Sequence, residues 1–261
     1  MLQELQDTWN FRDVIVNFVR TSLAVRYRRS VLGYIWTVLG PVMKYLAIGF
    51  VFQTLGKFDM PSYYGYMFLG SIYYGFVASI IMGACNAFVG NEHFIKKIYV
   101  PKLVFVLNLL FYEFVNFILV FLGITVLLLM FQEVSISLYW AFVVPALCIT
   151  LISLVGLSII IGIATVYFRD LPNIIEIFVQ MLFFATPIMY PAEFLEKDPV
   201  FRVIMEVNPL YYMTELFRSP LLENRLPSME AALVSLGIAI LSYSLGILML
   251  RQYNNRMVFK L

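Results

Sequence analysis

Six stretches of the chain are apolar over the roughly 20 residues needed to cross the hydrocarbon core of a bilayer. They cover about 33–55, 63–84, 103–131, 140–167, 172–190 and 231–250. The third and fourth are long enough to tilt or to run past the bilayer. The fifth is the weakest, with Glu176 inside it and Pro187 near its end. An even number of spans puts both termini on one side. The pattern predicts an all-α membrane protein of six transmembrane helices, in which residues 33–261 form one transmembrane domain behind an N-terminal segment, 1–32.

Three segments outside the spans carry patterns of their own. In residues 10–27, Phe11, Val14, Ile15, Phe18 and Val25 share one helical face and Asp13, Asn17 and Arg20 lie opposite. With Trp9 before it and Arg26, Arg28 and Arg29 at its end, this reads as an amphipathic helix lying in the membrane interface, the alternative being an ordinary surface helix. In residues 90–101, a short helix puts Phe94, Ile95, Ile98 and Tyr99 on one side and Glu92, His93, Lys96 and Lys97 on the other until Pro101 stops it. Such a helix, about 91–99, either caps the bundle or offers a docking surface. Residues 191–229 are too polar to cross lipid and are punctuated by Pro199, Pro209, Pro220 and Pro227. They predict two short re-entrant helices at the outer face, between spans five and six. Irregular backbone at that depth survives only where it is buried in protein or faces water.

Composition agrees with lipid as the solvent. The chain is 62% hydrophobic and 13% charged, against roughly 25% charged residues in a soluble domain. At this length a soluble fold would lack the polar surface to cover itself. A net charge of +2 gives no argument for nucleic acid. Cys85 and Cys148 fall in different apolar segments without metal or CxxC spacing and read as small packing residues. Residues 1–30 carry charges of both signs before the first apolar run, so no cleavable signal is expected.

Lysine and arginine placement sets the orientation. Twelve basic residues fall in the segments assigned to the cytoplasm: Arg12, Arg20, Arg26, Arg28, Arg29, Lys96, Lys97, Lys102, Arg169, Arg251, Arg256 and Lys260. Five fall in the outer loops, namely Lys57, Lys197, Arg202, Arg218 and Arg225, and Lys44 lies within the first span. Both termini are therefore expected in the cytoplasm.

The chemistry-bearing residues are few. His93 is the single histidine, and no phosphate-binding P-loop, HExxH or nucleophile elbow occurs. No catalytic and no metal-ligating set is assigned. Lys44, Glu113 and Glu176 are ionisable groups inside spans, a costly placement that points to function unless they pair internally or snorkel. Tyr63, Tyr64 and Tyr66 are explained by an interfacial belt. Tyr34, Trp36 and Tyr45 on the first span and Phe178, Phe183 and Phe184 on the fifth are less easily placed there. Together with Lys44 they are the candidate substrate path, because aromatic faces stack on sugar rings; packing is the alternative.

Four strings, in order, carry a family resemblance. Residues Tyr27-Arg28-Arg29-Ser30-Val31-Leu32-Gly33-Tyr34-Ile35-Trp36, with Pro41 after them, resemble the start of the first span in ABC-2 type permeases that export polysaccharides. Phe94-Ile95-Lys96-Lys97-Ile98-Tyr99-Val100-Pro101-Lys102-Leu103 is similar to that family's cytoplasmic coupling segment. Tyr167-Phe168-Arg169-Asp170-Leu171 and Thr186-Pro187-Ile188-Met189-Tyr190-Pro191 resemble its fourth-to-fifth-span turn and the start of its outer loop. Asn208-Pro209-Leu210, with Phe217-Arg218 downstream, is similar to its second re-entrant helix.

The resemblance implies a non-catalytic permease in the bacterial inner membrane. It implies a homodimer joined to two copies of a cytoplasmic ABC ATPase, which would bind ATP and magnesium; no cofactor is expected on this chain. Glu92, His93, Phe94, Ile95, Lys96, Lys97 and Tyr99 would form the ATPase-coupling segment. The cargo would be a lipid-linked polysaccharide, O-antigen first, with capsule or teichoic acid sharing the same strings. Lys44 departs from the apolar residue expected at its position. An integral-membrane glycosyltransferase or ligase would need catalytic groups clustered at one interface and a large soluble loop. An ion-coupled transporter would favour inverted repeats. Neither pattern is found.

Overall fold

The computed structural model describes residues 8–28, 33–56, 62–192, 198–254 and 256–261, and every regular element among them is helical. Arg29, Ser30, Val31 and Leu32 of the first string, and Lys57, Glu193, Glu196 and Lys197 of the charge pattern, lie outside the described residues. In chain order the helices are α1 (Arg12–Tyr27), α2 (Ile35–Gly56), α3 (Tyr63–Ala84), α4 (Glu92–Lys97) and α5 (Leu103–Met130). They continue as α6 (Val143–Tyr167), α7 (Leu171–Ala185), α8 (Pro199–Val207), α9 (Pro209–Leu222) and α10 (Met229–Tyr253).

Among the described residues, five helices are long and apolar enough to cross a membrane: α2, α3, α5, α6 with the 3-10 turn before it, and α10. This is a multi-pass membrane protein. The stretch predicted as span five, 172–190, holds α7, which has 15 residues. At 1.5 Å per residue that is about 22 Å, short of a hydrocarbon core of about 30 Å.

The core lies around α3, most of whose residues are buried. Tyr73 of α3 stacks on Phe217 of α9 at 4.9 Å and shares a hydrogen bond of 2.7 Å with Thr150 of α6. The closest helix pair is α6 with α10. A Cβ on Gly156 would stand 2.2 Å from the Ser242 backbone, and one on Gly246 would stand 2.6 Å from the Gly156 carbonyl oxygen. Only glycine allows that approach, and Ser242 Oγ donates to the Ser153 carbonyl at 3.2 Å across it. By contrast α2 and α7 are peripheral; Val179 is the one buried residue of α7.

The amphipathic helix α1 packs on α5, where Ile15 and Val19 meet Val104. Phe18 lies 5.6 Å from Phe94 and 6.3 Å from Phe105, ring centre to ring centre. Asp13, Asn17 and Arg20 are exposed, as their spacing predicts. Val25 is the exception on the predicted apolar face: it is 63% exposed. The buried stripe drifts to Ser22 and Leu23 by the end of the helix, so Val25 rotates off it.

Among the described residues, the region after Pro191 contains two short helices, α8 and α9. Each opens with a proline in its first turn and a side-chain cap: Asp198 accepts from the Val200 N–H at 2.8 Å and Asn208 from the Leu210 N–H at 3.0 Å.

Candidate functional site

A groove of about 690 Å³ opens between α1, α2, α3, α5 and α7. The first half of α2 contributes Trp36, Thr37, Pro41, Lys44 and Tyr45, and α7 contributes Val179, Gln180, Phe183 and Phe184. The spacing of Pro41, Lys44, Tyr45 and Ile48 puts them on one face of α2, as i, i+3, i+4 and i+7. Tyr74 closes the back from α3, and Glu113 and Asn116 face in from α5.

Five of the seven residues expected on the substrate path meet here: Trp36, Lys44, Tyr45, Phe183 and Phe184. Tyr34 and Phe178 are not among the lining residues. Tyr34 sits in the turn before α2, and Phe178 precedes buried Val179 by one residue, which turns it about 100° away on a helix of 3.6 residues per turn. Tyr45 and Phe183 also pack. Tyr45 Oη donates to the Ser71 carbonyl at 3.2 Å, and Phe183 meets Tyr74 edge-on at 5.2 Å. Glu176 faces out of the bundle.

Sequence reasoning missed Arg26, Asn116, Gln180 and Tyr74 as lining residues. Arg26 Nη1 donates to Tyr112 Oη at 2.9 Å, which brings the end of α1 over the groove. Asn116 was legible in principle: it stands three residues after Glu113 and therefore on the same face of α5.

The wall of the groove on α7 is fixed by the turn at the end of that helix. After Ala185 the chain leaves helical geometry, with Thr186 extended. The carbonyls this exposes are taken by distant side chains. Asn208 Nδ2 donates to the Ala185 carbonyl at 3.3 Å and to Thr186 Oγ1 at 2.8 Å. Pro187 accepts from Tyr66 Oη at 2.9 Å and from Arg218 Nη1 at 3.0 Å. Tyr63 Oη donates to the Met189 carbonyl at 2.8 Å. The Arg218 guanidinium lies 3.6 Å above the Tyr66 ring, in space left by Gly70. Arg218, which the sequence places between spans five and six, is buried; these contacts replace the water an exposed arginine would have.

At the end of the bundle where α1 starts, a 3-10 turn (Val89–Asn91) leads into α4. The helix is shorter than the predicted 91–99, because Ile98 is already extended ahead of Pro101. Ile95 packs on the core, whereas Phe94 is half exposed and Ile98 and Tyr99 are exposed. The single apolar side expected there is therefore broken after Lys97. Lys96 Nζ lies 2.6 Å from Glu92 Oε1. This contact holds the Glu92 carboxyl below the usual carboxylate range. His93, Lys96 and Lys97 are exposed beside it. Lys102 donates to Asn254 at the end of α10, so this segment is tied to the C-terminal end of the bundle.

The profile of the ABC-2 type transporter family matches residues 13–222, from α1 through α9. The chain belongs to that family. The match includes every residue lining the groove, the α4 segment and the bonded turn at 186–190. The chain is also similar to proteins named O-antigen export system permease protein RfbA. It is 29% identical to one from Klebsiella pneumoniae over 77% of each chain, and 24% identical to one from Myxococcus xanthus over 92% of each chain.

Proposed function

We propose that this ABC-2 chain is the permease subunit of an exporter that carries O-antigen, as a lipid-linked polysaccharide, across the bacterial inner membrane. The observation that carries the reading is the groove. Its walls combine aromatic and aliphatic side chains with the amides of Asn116 and Gln180, the Glu113 carboxyl and the Lys44 ammonium, a lining that offers both apolar faces and hydrogen-bonding groups to sugar rings. The similarity to O-antigen export permeases over 92% of the chain supports that cargo over other glycans.

In this reading α7 with the bonded turn makes the sixth crossing, both termini face the cytoplasm, and α8 and α9 dip into the outer leaflet. The apolar outer sides of α2 and α7 pack against a second copy, so that two grooves enclose one channel. The α4 segment receives two copies of a separate ATPase that bind ATP and magnesium. Glu92, His93, Lys96 and Lys97 face that subunit, with Phe94 and Tyr99 as anchors and Ile95 tying the segment to the bundle.

The test is reconstitution of the permease with its ATPase in proteoliposomes, followed by transport of a lipid-linked O-antigen. ATP-dependent arrival of the glycan in the trans compartment is expected. Phe183→Ala should slow it while leaving the complex assembled. Wild-type complex that hydrolyses ATP but moves no lipid-linked glycan would overturn the reading.

A further inference from the structure

We infer that Lys44 makes the groove an anion-recognition site, one that favours glycans carrying acidic sugars; this rests on the export reading above. A lysine inside a membrane span is costly and normally pairs or escapes to an interface. Lys44 does neither by contact. It lies in the middle of α2, nine residues after Ile35 and twelve before Gly56, and forms no ion pair among the described residues. Its ammonium lies 5.7 Å from the centre of the neighbouring Tyr45 ring, and it lines the groove.

The one carboxylate lining the groove, Glu113, shares its wall with Asn116 and Arg26 and forms no ion pair with Lys44. The groove thus holds two cations, Arg26 and Lys44, against one carboxylate. The remaining polar group on the α7 wall, Gln180, is neutral. Trp36, Phe183 and Phe184 offer faces to any sugar and cannot distinguish an acidic one from a neutral one. Lys44 is the group that can. A carboxylate or phosphate entering the groove would gain a charge-assisted contact with Lys44 that a hydroxyl does not.

Two sources of anion exist on a lipid-linked glycan, an acidic sugar and the phosphate that joins glycan to lipid. The experiment separates them. Proteoliposomes containing permease and ATPase are given two glycans on the same lipid diphosphate, one with uronic acid residues and one neutral. Rates are measured for wild type, Lys44→Met and Lys44→Arg, with assembly of each checked by co-purification. Lys44→Met should lower the ratio of acidic to neutral transport about tenfold or more, and Lys44→Arg should keep it. Equal loss of both glycans, restored by Lys44→Arg, would move the anion to the lipid phosphate and overturn the assignment to acidic sugars. Unchanged rates for both would remove Lys44 from recognition. Failure of wild type to move either glycan would instead overturn the export reading.

Discussion

At the scale of single residues, the most exacting positions are those where atoms are missing. Gly156 and Gly246 let α6 and α10 touch backbone to backbone. Gly156→Ala must push the Ser242 backbone away, and overpacking of that kind costs about 1–3 kcal/mol. We expect a lower melting temperature in detergent. Gly237→Ala, on the same α10, meets nothing within 4 Å and should leave the melt unchanged or raise it. Equal destabilisation by both would show that the backbone contact at Gly156 is not what sets the melt, since the gain in helix propensity has the opposite sign. Arg218 is exacting for the opposite reason, since its charge is held by a ring and a carbonyl rather than by water. Arg218→Met should leave the Pro187 carbonyl to Tyr66 alone and loosen the turn. A cysteine at Met189, buried in the native structure, should then react with a maleimide much faster in the variant. An unchanged labelling rate would show that Tyr63, Tyr66 and Asn208 suffice. Neither the glycine contact nor the burial of Arg218 was legible in the sequence, because both depend on which distant element lies opposite.

At the scale of elements, apolar run length predicted α3 to the residue and α5 to within one, because those helices end where their apolar runs end. It overshot α7. The residues at 186–190 are apolar enough to continue the run, yet the chain there is held in a non-helical turn by Tyr63, Tyr66, Asn208 and Arg218, all distant in sequence. The α4 segment was legible in position and too long in extent. Its exposed Glu92–Lys96 pair favours the helix while Glu92 is ionised. The Glu92 pKa is lowered in the folded chain, so this contribution is complete above the ordinary carboxylate range and is lost as pH falls through the lowered value. Exchanging the two residues, Glu92→Lys with Lys96→Glu, keeps an intrahelical pair but inverts the charge pattern offered to the proposed ATPase. Co-purification of the ATPase, or the ATP hydrolysed per glycan exported, should change while insertion and the melt do not. If coupling is unchanged, α4 only caps the bundle.

At the scale of the whole molecule, the loops sort to two ends in the way an alternating path requires. Phe18 and Phe94 join α1 to α4, Lys102 joins Asn254, and Arg169 Nη2 donates to the Leu261 carbonyl at 3.5 Å. These residues gather the segments in which the basic residues are concentrated. At the opposite end Gly65 donates to Glu133 Oε2 at 3.2 Å and Asn224 to Ser135 Oγ at 2.8 Å. Between the ends, α7 starts beside Arg169, and the turn after it is bonded to Tyr63 in the first turn of α3. The route from 171 to 190 therefore runs end to end, although its helix is short. The proposed orientation is tested with single cysteines in a background lacking Cys148, the exposed native thiol. Glu223→Cys and Lys97→Cys place thiols at exposed positions at the two ends. In intact spheroplasts an impermeant maleimide should label position 223 at once and position 97 only after permeabilisation. The reverse order would put the basic end outside and with it α4, beyond reach of any cytoplasmic ATPase. Labelling of both before permeabilisation would mean that the route from 171 to 190 does not complete a crossing.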